Sequence, residues 1–287
     1  MYNESRSEDK IMKISELIER IKQWHEPYVA KDEGRDLILG GNPDQQCTGV
    51  IITVCATLEV LKKAKEKNCN FIITHESILY GAKEEDMDND VVQYKKRFME
   101  ENGLCVWRDH DRMHGNGLPF QPERKRNDYI FYGLMKELGW EEYVEGDSMK
   151  PLWYKIPKMS ALDFADLLIE KFHLNGLRLV GNLDSTIETV WFSEHVQGGK
   201  MDKGKLKGGL KADAIIPFEI VDFTLTQYVV DAAEMGQNKV LYEMGHFNAE
   251  ELGMRYMCTW IQDIVKQEVP VEFIQAGDFF QYRGKKA

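Results

Sequence analysis

Apolar residues at Ile11, Ile14, Leu17, Ile18 and Ile21 recur at three- and four-residue intervals. This spacing predicts an amphipathic helix over about residues 13–24 that ends near Pro27. The period then changes. After a Gly-Gly-Asn-Pro-Asp turn at residues 40–44, the run GVIITVC is continuous and β-branched, as in a strand covered on both faces. Thr57 is placed to cap a helix whose apolar face is Leu58, Leu61 and Ala64, and NCNFIIT starts another strand. Residues 49–74 therefore read as a βαβ unit with a right-handed parallel crossover. The acidic KEEDMDND stretch reads as a loop, VVQYKKRFMEEN as a helix, and LCVW as a third parallel strand.

A further helix is expected from about Tyr129 to Leu138, and the turn-rich GDSMKP segment near Pro151 marks a lobe boundary. Beyond it the pattern gives a strand (LWYKIP), a helix (ALDFADLLIEKF), two strands (LRLV, TVWFSE) and a Gly/Lys-rich loop. A strand (DAIIPFEI) and a helix near Leu225 to Glu234 complete that lobe. KVLYEM and NAEELGMRYMCTWIQDIV form a last strand and helix, with Asn248 as the cap and Glu251 three residues on. The expectation is a two-lobed α/β protein of mostly parallel sheets flanked by helices. Residues 1–150 form the first lobe, with the metal ligands; residues 151–237 form the second; residues 238–287 are a strand and helix returning to the first.

Composition narrows the class. A length of 287 residues accommodates two lobes. A formal net charge of −11 argues against nucleic-acid binding through general phosphate attraction. Five cysteines form no CxxC and cannot pair completely within one chain, which fits reduced thiols in the cytoplasm. The opening MYNESRSEDK has no apolar stretch resembling a signal peptide, and no run approaches the roughly 20 apolar residues of a membrane span.

Candidate chemistry lies at strand exits. FIIT leads into His75 and Glu76, LCVW into Asp109, His110, Asp111 and His114, and KVLYEMG into His246 and Glu250. In an open α/β sheet the strand C-termini share one edge, where ligands distant in sequence can converge. Imidazole and carboxylate are donors for divalent transition metals, and two-metal hydrolytic sites share a bridging carboxylate. Glu250, near a helix start, is the bridging candidate. His110 and His114 share a face if their stretch is one helical turn. His25, His173 and His195 have no comparable partners in the sequence, and His25 reads as solvated. VQGGKMDKGKLKGGLK offers amides and lysines for an anion but lacks a GxxxxGK[ST] pattern, so a solvated surface loop is the favoured reading. Glu219 reads equally as facing the crevice or as an ordinary strand-end carboxylate.

The stretch GNPDQQCTGVIITVCATLEVLKKAKEKNCNFIITHESILY, together with WRDHDRMH and GHFNAEELGMRYMCTWIQ, resembles the Nif-three-like family (Ngg-one-interacting factor three), often named type 2 GTP cyclohydrolase I. The resemblance implies a two-lobed fold and a dinuclear centre of two divalent metal ions, with zinc, iron, manganese and nickel all compatible. It also implies a toroidal homohexamer with sites facing an internal cavity. Carried over by motif, the ligands are His75, Glu76, His114, His246 and Glu250. Three departures stand out: THE replaces THH, His114 replaces a carboxylate, and Cys55 stands where the first strand's LDAT motif has aspartate. One imidazole becomes a carboxylate and one carboxylate an imidazole, so the set is conserved in kind. The implied function is a metal-dependent hydrolase acting on a nucleotide or other small molecule, with His110 or Asp111 as acid or base and Asp111 also a possible ligand or orienter. The alternative is a non-enzymatic protein that handles metal or regulates a partner.

Overall fold

Two units divide the chain, one comprising Met1–Arg124 with Met257–Ala276 and the other Lys125–Tyr256 with Gly277–Ala287. The computed structural model describes residues 12–25, 35–79, 88–115, 128–266 and 268–283. The predicted helix end at Pro27 and most of the KEEDMDND stretch lie outside the described residues.

Unit 1 is built on a five-stranded sheet of order β1-β4-β3-β2-β11. Strands β2 (Val50–Thr53), β3 (Phe71–Thr74), β4 (Cys105–Arg108) and β11 (Val271–Phe273) run parallel, and β1 (Ile38–Gly40) pairs antiparallel with β4. VIIT and FIIT are buried at every position, as their unbroken apolar character requires when both faces are covered. Helix α1 (Ile14–Trp24) buries Ile14, Leu17, Ile18 and Ile21. Helix α2 (Leu58–Glu66) begins where the Thr57 side chain accepts from Val60 N–H, and α3 (Asp90–Glu101) where Asn89 accepts from Val92 N–H. Cys47, Cys55, Cys69 and Cys105 are buried in this unit and Cys258 is partly exposed; none forms a disulfide. Burial pushes the Cys47 thiol up to about 11 and that of Cys105 up to about 12.

Unit 2 has a six-stranded sheet of order β5-β6-β8-β9-β10-β7. Its strands are β5 (Val144–Glu145), β6 (Trp153–Ser160), β7 (Arg178–Gly181), β8 (Thr186–Glu194), β9 (Ala214–Pro217) and β10 (Val240–Glu243). The pairings β8–β9 and β9–β10 are parallel and the others are antiparallel, so this sheet is mixed. Alternation sorts its side chains onto two faces. Ala214, Ile216, Val240 and Tyr242 meet Phe131 and Leu134 of α4 (Tyr129–Leu138), Phe164 of α5 (Ala161–Phe172) and Leu252 of α8 (His246–Ile264). Ile215 and Leu241 meet Leu225 and Val229 of α7 (Leu225–Glu234) and, at the margin, Leu206 of α6 (Gly199–Leu206).

The sequence reading and the observed fold differ at four places. The division falls at residues 124/125, and α4 packs in unit 2. GDSMKP instead connects the antiparallel strands β5 and β6, since the residues that make a linker also make a hairpin turn. Strand β10 lies inside the second sheet, between β9 and β7, and β11 is the strand that returns to the first. The Gly/Lys-rich segment holds α6, with Val196 and Leu210 in the core and the buried Asp202 accepting from Gly198 N–H. Helix α8 starts at His246, two residues before Asn248, whose side-chain amide donates instead to the Met244 carbonyl. Among the described residues no helix is long and apolar enough to cross a membrane.

Helix α8 carries His246 and Glu250, and its crossing with α4 is set by two glycines. A Cβ on Gly253 would lie 2.5 Å from the Ile130 carbonyl oxygen, and one on Gly133 would lie 2.9 Å from the Tyr256 Cβ. Gly253→Val is therefore expected to lose about 1–3 kcal/mol through overpacking, read as a lower midpoint in urea unfolding. An unchanged midpoint would show that the helices separate without penalty.

Candidate metal sites

In unit 1, β3 and β4 are parallel neighbours with Thr74 opposite Arg108, so their exits lie side by side. Pairing runs past the strand ends: Glu76 N–H donates to the Val54 carbonyl at 2.8 Å and Asp109 N–H to the Thr74 carbonyl at 2.9 Å. His75 is fully buried, and its Nδ1 lies 3.2 Å from the Asp109 carbonyl, which fixes that nitrogen as the N–H donor. Its Nε2 faces His114 Nε2 at 3.1 Å. Two imidazoles bound to one ion at ~2.0–2.1 Å place their nitrogens roughly 3.0–3.4 Å apart, so the observed spacing fits a shared cation. His114 N–H donates to the His110 carbonyl at 3.1 Å, closing one helical turn, and the rings of His75, His110 and His114 form a group with donor atoms within 4.8 Å.

That turn is clamped by two residues that the pattern of the sequence did not single out. Asp36 Oδ1 accepts from the backbone N–H groups of His110 at 2.6 Å and Asp111 at 2.7 Å. Its Oδ2 accepts from Arg112 N–H at 3.2 Å and Arg112 Nη1 at 2.8 Å. Arg35 donates from Nε to Asp111 Oδ1 at 2.7 Å, and its Nη1 lies 3.3 Å from His110 Nε2. His110 Nδ1 lies 3.1 Å from Asp111 Oδ1, so Asp111 and Arg35 engage both ring nitrogens. Burial pushes the His110 pKa down to about 2, with His75 reinforcing the effect and Asp111 opposing it. Burial alone would raise the Asp111 carboxyl, but hydrogen bonds from His110 and Arg35 hold it well below the usual carboxylate range. Asp111 is thus an ionised orienter of a neutral His110.

Glu76 is fully buried, and Arg108 Nη2 donates to its Oε2 at 2.6 Å while Arg108 Nε donates to the His75 carbonyl at 3.0 Å. Glu76 Oε1 lies 3.8 Å from His110 Nε2. His25, expected in solvent, is buried: its Nε2 lies 3.1 Å from Asp109 Oδ2, and it meets the stacked pair Trp24 and Trp260 edge-on. The Asp109 side chain serves His25, and the Asp109 carbonyl serves His75.

Unit 2 repeats the principle. The parallel neighbours β8, β9 and β10 lead respectively into His195, Glu219 and His246. His246 Nε2 lies 3.4 Å from Glu250 Oε2, four residues along α8, again a spacing that two donors on one cation would adopt. His246 Nδ1 lies 3.3 Å from Glu219 Oε2. Glu219 Oε1 is 2.6 Å from His195 Nδ1 and accepts from Gln197 Nε2 at 2.5 Å. Although His195, Glu219 and His246 form a geometric donor group, 2.6 Å is a hydrogen-bond length, shorter than the separation of two ligands on one ion. Burial opposes ionisation of Glu219, but the two histidines outweigh it and bring the pKa down to about 2. His195, set aside on the sequence, therefore does have a partner; the signal was its position directly after a strand, like that of the other candidates.

Within unit 1 the structure thus gathers His75, Glu76, His110, Asp111 and His114, and within unit 2 His246 and Glu250, joined there by Glu219 and His195. Residues 12–112 match the family described as Duf34/NIF3 (NGG1p interacting factor 3), a span that includes His75, Glu76, His110 and Asp111 and stops short of His114. A GTP cyclohydrolase 1 type 2 homolog of Clostridium perfringens is 25% identical over 248 residues, covering 83% of this chain and 87% of its own length. Over residues 12–112 the chain is similar to the Duf34/NIF3 family. Another relative with the same name, from Clostridium acetobutylicum, is 24% identical over 253 residues, covering 83% of this chain and 85% of itself. Solved structures share the fold of this chain. A Bacillus cereus protein related to NIF3 aligns with TM-score 0.67 at 14% identity over 96% of this chain and 100% of its own. Staphylococcus aureus protein SA1388 aligns with TM-score 0.66 at 18% identity over 95% and 99%.

Proposed function

We propose that the chain is a metal-dependent hydrolase that holds two divalent cations, with a purine nucleotide or related small molecule as substrate. The observation that carries the reading is the approach of His75 Nε2 to His114 Nε2 at 3.1 Å. It is supported by the 3.4 Å approach of His246 Nε2 to Glu250. His75, Glu76, His114, His246 and Glu250 are the ligands. Nitrogen and oxygen donors of this kind suit zinc, iron, manganese or nickel. When bound, such cations supply a water acidified enough to attack near neutral pH. His110, its tautomer set by Asp111, presents Nε2 as a neutral acceptor, and Asp111 acts through it. The relatives' name points to a guanine nucleotide as the first substrate to try.

A second reading, metal handling or partner regulation without turnover, is favoured by one observation: Arg35 already occupies His110 Nε2. Protein purified without chelator is expected to carry two divalent ions per chain by elemental analysis, and His114→Ala and His246→Ala are each expected to lose at least one. Loss of guanine absorbance on incubation with GTP, abolished in the same variants, would support the hydrolase. Bound metal with no turnover across a nucleotide panel would support the second reading. Absence of metal from the wild type would overturn both.

A further inference from the structure

We infer that Glu219 is a positioning residue for His246, accepting its Nδ1–H so that Nε2 is the nitrogen presented beside Glu250, with His195 and Gln197 holding Glu219 in place. The inference rests on His246 being a metal ligand, as proposed above. An imidazole that donates one N–H to a carboxylate has its lone pair fixed on the other nitrogen, and such partners tune both orientation and basicity of a ligand.

Four observations carry it. Glu219 uses its oxygens separately, Oε2 toward His246 Nδ1 at 3.3 Å and Oε1 toward His195 Nδ1 at 2.6 Å and Gln197 at 2.5 Å. Glu250 stands on the opposite nitrogen of His246, Nε2 to Oε2 3.4 Å, so the ring lies between two carboxylates with distinct tasks. The Phe218 ring packs against both imidazoles, with centroids 4.9 Å from His246 and 5.4 Å from His195, which restricts rotation of either. The three residues leave three adjacent parallel strands, so the sheet sets their spacing.

Glu219→Ala and Glu219→Gln, beside His246→Ala, test this on the full-length chain. Zinc and manganese binding to metal-stripped protein is read by competition with a chromophoric chelator, and the tautomer of His246 by its nitrogen-15 chemical shifts. His246 is expected as the Nδ1–H tautomer in the wild type and as a mixture in Glu219→Ala. That variant is expected to bind about 10–100-fold more weakly the ion that His246→Ala loses. Glu219→Gln, which keeps the shape and an oxygen acceptor, is expected to regain part of the affinity. Wild-type affinity with an unchanged tautomer in Glu219→Ala overturns the inference. If the wild type or His246→Ala shows that no ion depends on His246, the functional reading fails. The tautomer shift alone then decides the role of Glu219: a shift supports it and no shift removes it.

Discussion

Arg108→Ala is expected to destabilise unit 1 by about 3–5 kcal/mol in metal-stripped protein, the loss typical of removing one partner from a buried ion pair. Glu76 is fully buried, and the guanidinium reaches its Oε2 at 2.6 Å and the His75 carbonyl at 3.0 Å, so the variant loses a charge partner and a ligand-loop anchor together. Glu76→Gln in the same background is expected to recover part of the loss, because the carboxylate no longer needs a cation. If Glu76 ligates a metal, manganese raises the melting temperature of Arg108→Ala more than that of the wild type, since the ion replaces the missing charge. Chemical denaturation of both proteins with and without manganese measures each quantity. A stripped variant within 1 kcal/mol of the wild type, by the scale of an exposed pair, would show that the ion pair contributes little.

Asp36→Ala is expected to cost about 2–4 kcal/mol and to weaken metal binding by the turn that holds His110 and His114. One side chain accepts three backbone N–H groups and Arg112 Nη1, and losing it strands several donors at once. Burial, with Asp109 nearby, raises the Asp36 pKa, so part of that hydrogen bonding only offsets desolvation and the net loss falls below the sum of the bonds. Asp36→Asn keeps one oxygen acceptor and should fall between. Urea midpoints and zinc affinity are the measurements. A destabilised variant with unchanged zinc affinity would confine Asp36 to folding and separate it from the site.

The parts of this protein legible in the sequence are those fixed by local pattern. Helices α1, α2 and α3 follow from apolar spacing and from Thr57, and the parallel run of β2, β3 and β4 from two buried strands joined by one helix. His75, Glu76, His110 and His114 come together because β3 and β4 are neighbours with a common direction, a consequence of the crossover rule. What escaped depends on distant partners. The strand VLYE is buried on both faces and would suit either sheet, so its place between β9 and β7 left no local mark. Glu219 lies 24 residues from His195, and Asp36 lies 74 residues from His110 in a segment without periodicity. His25 follows a helix whose exposed face suggested solvent, yet Asp109, 84 residues on, and two tryptophans enclose it.

All five cysteines fall in unit 1, four of them buried, and unit 2 has none. An alkylating reagent added to the native chain therefore has Cys258 as its accessible target, and later labelling of the others measures how often the first sheet opens. The second sheet is silent to the same chemistry. Mass spectrometry of alkylated protein can thus time the opening of one half of an intact molecule without any engineered probe.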